Sequence, residues 1–392
     1  MFYPINMTSM ANVSDVNTSV PIEQATHETL EFKVVKIIFY CIILTCSTIG
    51  NGLVIYVIKA NERMRTPSNI LVLNLAVCDL VTPLISIPFD FAVEENGYAW
   101  MYGGFMCKIL WPGATLSTTS SSLTLAAISF DRYRVIMHPF KSKLSMDKIK
   151  IIIFLIHMFS IFVITPYIYV LRLQGSHCYE NWPGYEYRQA YTLFLFSVQY
   201  CIPLIFMTIM YTLTLKSLFS ASVKTWVMRK DRVEEQPITN NQESDVSVTD
   251  NDHTQKKKKW RLLQINPQGA SEANKRATKM FIVIVIVFAT CMFPNQVVWF
   301  WSDFDNGMAH KHYKIVSIIC WIFTYTNSVC NSAIYAVFSN DFRKGFYHAY
   351  GKFCCKVIEQ YEVNSKYPDY PCNHVRLKQL KDEKPNEPQV IS

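Results

Sequence analysis

Charge is scarce in this chain. Only 17% of its 392 residues are Asp, Glu, Lys or Arg, whereas 50% are hydrophobic. The apolar residues come in blocks, without the alternation that a membrane β-barrel needs. Enzyme signatures are missing as well: there is no HExxH, no Walker A loop and no GxSxG. No nucleophile in the apolar blocks stands beside a base, so no catalytic activity is expected. No internal repeat is found, which argues against a transporter built from two related halves. The first residues lack a basic segment followed by an apolar one. No cleaved signal peptide is therefore expected, and the first apolar block is expected to serve as the signal.

What the chain does have is seven apolar blocks, near 37–58, 69–92, 107–131, 149–171, 190–215, 279–301 and 314–338. Each holds about 20 residues or more, enough for a helix to cross roughly 30 Å of hydrocarbon. The expected fold class is an all-α membrane protein, with a seven-helix transmembrane bundle over 37–338. Residues 1–36 are expected to form a polar extracellular segment, 219–273 a long flexible third cytoplasmic loop, and 353–392 a cytoplasmic tail. Over 339–352, Phe342 and Phe346 stand at i, i+4 beside Arg343 and Lys344. That pattern predicts a short amphipathic eighth helix on the cytoplasmic membrane face.

Lysine and arginine set the orientation. Lys59, Arg63, Arg65, Arg134, Lys141, Lys143, Lys148 and the run Lys256 to Lys259 follow blocks one, three and five, which makes those loops cytoplasmic. Glycosylation triplets begin at Asn6, Asn12 and Asn17, consistent with an extracellular N-terminus, and an odd number of spans puts the tail inside. The expected location is the plasma membrane, multi-pass. The net charge of +8 falls on the cytoplasmic side, where it serves topology and attraction to the lipid bilayer rather than nucleic acid.

Of the twelve cysteines, most lie inside the blocks as small packing residues. Cys107 and Cys178 face the oxidising side and are expected to form a disulfide. Cys354 and Cys355 lie just beyond the last block, in the reducing cytoplasm. There, palmitoylation and a pair of idle thiols are both open readings.

Polar residues inside the blocks carry the chemistry. Asp79 lies deep in block two, where a carboxylate needs a partner, a cation or a proton. Asn51, Ser121, Asn327 and Asn331 stand at comparable depth. They supply oxygens for a Na⁺ ion completed by waters, or else share a proton in an ion-free network; spacing leaves the two even. No other cofactor is implied. Pro88, Pro166, Pro203 and Pro294 bend their helices. Pro294 matters most, because the run Phe281 to Phe293, which includes Phe288, lies on its inner side, and a small change at the kink swings that end widely. At the end of block three, Asp131-Arg132-Tyr133 sets an acid and a permanent cation at the edge of lipid, a costly arrangement unless paired.

Gly50-Asn51, Leu75 to Asp79, Cys107, Asp131-Arg132-Tyr133, Pro139, Cys178, Pro203 with Tyr211, Cys291 with Pro294, and Asn327 to Tyr335 occur together and in order. In these residues the chain resembles the rhodopsin-like G-protein-coupled receptors over about residues 37–350. The resemblance implies that Arg132 is held by Asp131 at rest. It implies too that Arg132 contacts a heterotrimeric G protein once span six moves out, joined by Tyr211 and Tyr335. Arrestin and a receptor kinase are further partners implied by it. Three positions depart from the family pattern: Met292 replaces the span-six tryptophan, Ser332 the proline of span seven, and His157 the span-four tryptophan. These departures keep open a receptor of the same fold that has lost signalling or signals without ligand. An ion-coupled transporter using Asp79 is the other rival.

Ligand classes are narrowed by what is missing. Retinal would need a lysine inside span seven, where the matching position is Tyr325, and an amine would need an acid where Ala114 stands. The acids Asp90, Glu94, Glu95, Glu180, Glu186, Asp303 and Asp305 gather on the extracellular side, where they attract basic ligands. Met64 to Asn69, Cys178 to Pro183 and Asn340 to Phe346 are similar to segments of receptors of the neuropeptide FF, RFamide and neuropeptide Y-like group. That likeness implies an amidated basic peptide whose arginine pairs with Asp303, with Asp90 reaching the same pocket. The glutamine common in span three of those receptors is Ala114 here. Trp299 and Trp321 are expected at an aromatic mouth.

Overall fold

The computed structural model describes residues 28–138, 144–234 and 267–362, with side chains over 28–138, 144–218 and 276–351. Span one is Leu30–Ala60, span two Pro67–Glu95, span three Leu110–Met137 and span four Met146–Val170. Span five is built from Tyr185–Phe196, a π turn over Ser197–Cys201, and Ile202–Glu234. Span six is Pro267–Phe304 and span seven Tyr313–Phe338. Several helices begin earlier than the apolar blocks because polar caps start them. Thr29 Oγ accepts from the Phe32 N–H, Thr66 Oγ from Asn69 just ahead of Pro67, and Ser145 Oγ from Lys148, each satisfying a donor that a helix start leaves open.

Among the described residues, five helices are long and apolar enough to cross a membrane by length and composition. Spans three and seven fall short of that measure, and packing explains it. Span three lies against spans two, four and five, and its Ser117, Thr119, Ser120, Ser121, Ser122 and Thr124 are all buried. Helices enclosed by other helices need no apolar surface all round. Two of these hydroxyls bond within the helix, Thr119 donating to the Thr115 carbonyl at 2.7 Å and Thr124 to the Ser120 carbonyl at 2.6 Å, while Ser117 and Ser121 donate to span two and Ser122 to span five.

At two of the prolines a neighbouring span satisfies the carbonyl that the proline leaves open. Pro203 has no N–H for the Gln199 carbonyl, and Ser122 of span three donates to that oxygen at 2.6 Å. Pro83, which the sequence reading did not single out, frees the Asp79 carbonyl, and Ser47 of span one donates to it at 3.0 Å. Span seven contains no proline, consistent with Ser332, and it approaches span one so closely that a Cβ added at Gly50 would overlap the Ser332 hydroxyl.

The Cys107–Cys178 disulfide closes one end of the bundle. Cys178 lies in a hairpin that the sequence reading did not foresee: β1 (Leu171–Gln174) pairs antiparallel with β2 (His177–Glu180), Leu173 opposite Cys178. Gly175, with φ +59°, makes the tight turn. The Trp100 N–H donates to the Ser176 carbonyl at 2.6 Å, and Trp100, Trp111, Tyr167 and Leu171 pack beneath. At the opposite end, the helix Asn340–Glu362 follows span seven and outruns the expected limit of 352. Phe342 is buried and stacks on Tyr335 at 5.2 Å, while Tyr347 and Tyr350 face outward. Asn6, Asn12, Asn17, Pro139 and Lys256 to Lys259 lie outside the described residues, as do the side chains of Cys354 and Cys355.

Candidate functional site

A cavity opens at the disulfide end, enclosing about 1040 Å³ of non-atom space with its mouth included. Asp90, Ala114, Glu180, Met292, Trp299 and Trp321 all line it, together with Trp111, Arg188, Thr192, Gln199 and Tyr325. Asp90 is held in place by two donors: Trp111 Nε1 to Oδ1 at 2.9 Å and the Tyr325 hydroxyl to Oδ2 at 2.9 Å. Glu180, at the end of β2, accepts from Trp182 Nε1 at 2.7 Å. Burial pushes the Glu180 carboxyl above its ordinary range, and the nearby Arg188 charge and the Trp182 bond offset only part of that rise.

Asp303 departs from its expected place. It does not line the cavity; it is fully buried behind Arg188, whose Nη2 lies 2.8 Å from Asp303 Oδ1. Ser302 and Thr192 hydroxyls also donate to its carboxylate. The acid that was expected to meet a ligand arginine already holds an arginine of its own. Sequence reading missed Arg188, although a signal was present: a base two residues ahead of block five, on the side where acids outnumber bases. Counting Asp303, three carboxylates face one guanidinium around the cavity, a balance that favours a cation.

The rim beside the cavity holds a second charged group. Lys36 of span one is fully buried, 2.8 Å from Glu28 and 2.9 Å from Glu94. Lys33 pairs with Glu95, and Lys314 of span seven lies 3.3 Å from Glu28. Glu94 and Glu95, expected at the entrance as ligand attractors, are thus occupied in tying spans one, two and seven together. Burial raises the Glu28 carboxyl, but the Lys36 bond and the Lys36 and Lys314 charges outweigh it, leaving Glu28 below the usual range.

Deeper in the bundle, Asp79 is brought together with Asn331, which donates at 2.7 Å, and Ser121, at 3.4 Å. Asn327 is buried nearby in sequence and face but has no bond to Asp79 among those described. The Oδ1 atoms of Asn51, Asn327 and Asn331 are all buried without a partner. His157 enters a separate network between spans two, three and four, 3.0 Å from Asn74 Oδ1 and 3.4 Å from Ser120.

At the far end, Arg132 Nη2 is 3.0 Å from Asp131, and Ser68 of span two donates to the same carboxylate at 2.5 Å. The guanidinium lies over the Phe281 ring of span six, 5.4 Å from its centroid. Tyr211, Tyr335, Phe281, Phe288 and Met292 share one buried cluster; Tyr133 stacks edge-on to His138 instead. Pro294 lies between the cavity-lining Met292 and Asn295.

A bundle of seven helices with a disulfide-closed cavity at one end and a caged arginine at the other defines a heptahelical membrane receptor. The sequence pattern of the rhodopsin family of seven-transmembrane receptors matches residues 50–335, and the chain belongs to that family. Its members are receptors rather than enzymes. The chain is 31% identical over 328 residues to the QRFP-like peptide receptor of Branchiostoma floridae, covering 80% of this chain and 77% of that one. Against the rat neuropeptide FF receptor 2 the identity is 28%, covering 83% and 74%. Against the rat pyroglutamylated RF-amide peptide receptor it is 24%, covering 88% and 76%.

Proposed function

We propose that this receptor binds a basic, amidated peptide outside the cell and activates a heterotrimeric G protein inside it. The observation that carries this reading is the cavity at the disulfide end, where acids outnumber bases and Trp111, Trp299 and Trp321 supply apolar walls. The similarity to receptors named for QRFP-like, neuropeptide FF and pyroglutamylated RF-amide peptides supports it. The disulfide end is extracellular, the N-terminus lies on that side, and the Arg132 end is cytoplasmic. Ligand binding favours the state in which span six has swung outward about Pro294, freeing Arg132 from Asp131 for the G protein. Arrestin and a receptor kinase act on the same cytoplasmic face.

Asp79, Ser121, Asn327 and Asn331 hold a Na⁺ ion: one carboxylate supplies charge, and the unpartnered amide oxygens are what a hard cation would engage. The helix Asn340–Glu362 lies on the cytoplasmic membrane surface, with palmitate at Cys354 and Cys355, and Asn6, Asn12 and Asn17 carry glycans. The deciding experiment is a screen of amidated basic peptides on cells expressing the chain, read by G-protein dissociation. A dose-dependent response that is lost in Arg132→Ala is expected. Silence to every such peptide at verified surface expression would remove the reading.

A second reading rests on Met292 and Ser332: the lever of span six is altered, so the receptor signals constitutively or not at all. Ligand-free nucleotide exchange separates these from ordinary agonism.

A further inference from the structure

Arg188 stands between two acids from different elements. Its Nη2 is 2.8 Å from Asp303 Oδ1 in span six, while its Nε lies 3.8 Å from Glu180 Oε2 in β2. That Nε is buried and has no hydrogen-bond partner. One guanidinium is therefore bonded to Asp303 and roughly 1 Å short of a good bond to Glu180. Resting on the reading of the cavity as a basic-peptide site, we propose that Arg188 is an exchangeable internal ligand: an incoming guanidinium takes Asp303, and Arg188 passes to Glu180.

The charges explain why the exchange is favourable. With Asp303 and Glu180 both ionised, the resting pair of acids has one base between them; after exchange, two bases meet two acids. Arg188 grips Asp303 through a single nitrogen, so a ligand guanidinium that forks onto both oxygens makes the stronger pair. The site is already shaped for such a fork, because Thr192 and Ser302 orient the Asp303 carboxylate. The main chain need not move. Tyr185 and Gln189 of span five donate to the Asp303 carbonyl at 2.7 and 2.8 Å, and these bonds survive a change of side-chain partner. Exchange thus removes the charged tie between spans five and six while leaving their rims in register.

The test uses purified full-length receptor in nanodiscs and two probes: arginine amide, and an amidated pentapeptide ending in Arg-Phe. Affinity is read by ligand-induced thermal shift. Removing the internal competitor in R188Q is expected to strengthen arginine amide binding about tenfold. R188Q/D303N should lose that gain, and E180Q should weaken binding in the native background but not beside R188Q. Unchanged or weaker binding in R188Q, or a gain that survives D303N, would overturn the exchange. Should R188Q fail to fold, R188K serves instead: it keeps the charge without the fork and is expected to bind arginine amide more tightly than the native receptor, with native-like affinity again counting against exchange. Arginine amide needs no signalling to be scored. A positive result with it, beside silence of all peptides in G-protein assays, would sink the peptide reading and leave the exchange standing.

Discussion

Replacing Lys36 with methionine isolates one buried charge. Its ammonium is shielded from solvent and lies within 3 Å of Glu28 and Glu94, with Glu95 at 3.8 Å and the Phe91 ring at 5.7 Å. Methionine fills nearly the same volume, so the loss is mainly electrostatic: the buried Glu94 keeps its charge or takes up a proton without a partner. Breaking one member of a buried pair costs 3–5 kcal/mol, and the partial exposure of Glu95 places this site at the low end, about 3 kcal/mol. For a chain of this length that is a fall of roughly 6 °C in midpoint, read by fluorescence-detected thermal unfolding of purified receptor. Lys36→Met/Glu94→Gln should regain a good part of it, because the stranded acid is gone. The pH dependence has a definite sign. Glu28 is held below the usual range, so its stabilising contribution is present above that range and lost as pH falls through its lowered value. K36M should flatten this acid limb. A midpoint within 1 °C of native, or a double variant no better than the single one, would refute the reasoning.

Three shorter predictions follow from other sites. Asp131→Asn removes the charge from the Arg132 pair and weakens the Ser68 bond, worth about 2 kcal/mol, which is roughly a thirtyfold shift toward the active state; ligand-free nucleotide exchange should rise, and an unchanged basal rate at matched expression would count against it. The Glu180 carboxyl is raised by burial, so the fold binds its proton more tightly than the unfolded chain does. Its contribution is present below the ordinary carboxylate value and declines as pH rises through the raised one; the difference in midpoint between native and Glu180→Gln receptor should follow that direction from pH 4 to 7. Adding NaCl, against a matched choline salt, should lower agonist affinity in the native receptor but not in Asp79→Asn, and equal sensitivity in both would argue for the ion-free network.

The helices were readable because lipid imposes a coarse rule: about 20 apolar residues per crossing. Cys107 and Cys178 were readable because compartment alone sorted them. Arg188 and Lys36 were not, and both sit one or two residues outside an apolar block, where a base looks like an ordinary flank. Their partners come from elsewhere in the chain: Lys36 meets Glu94, Arg188 meets Glu180 and Asp303. Such pairing is invisible to a scan along the sequence. Asp303 shows the same limit from the other side, since its residue type was read correctly but its partner was already supplied within the fold. The hairpin over Leu171–Glu180 was missed because four-residue strands carry too little alternation, and its Gly175-Ser176 turn was the only local cue.

Met292 is where the buried cluster of span six meets the cavity wall. Phe281, Phe288, Met292, Trp299 and Asp303 follow one face of span six at helical spacing. Phe281 lies beneath Arg132, Phe288 and Met292 are buried in the central cluster, and Met292 and Trp299 also line the cavity. A single stripe therefore runs from the caged arginine to the cavity, and Met292 is its one member present in both the cluster and the cavity wall. Methionine is flexible, so any coupling along this stripe would pass through its packing contacts rather than through a fixed rotamer. Met292→Ala would open a void at that junction, costing about 2–3 kcal/mol of stability. The acids of the site are untouched, so peptide affinity should change less than about threefold, a cost of under 1 kcal/mol. Maximal nucleotide exchange should fall much further, and Met292→Leu, which restores volume, should recover it. Full maximal response in Met292→Ala at matched expression would show that the ligand reaches Arg132 by another route.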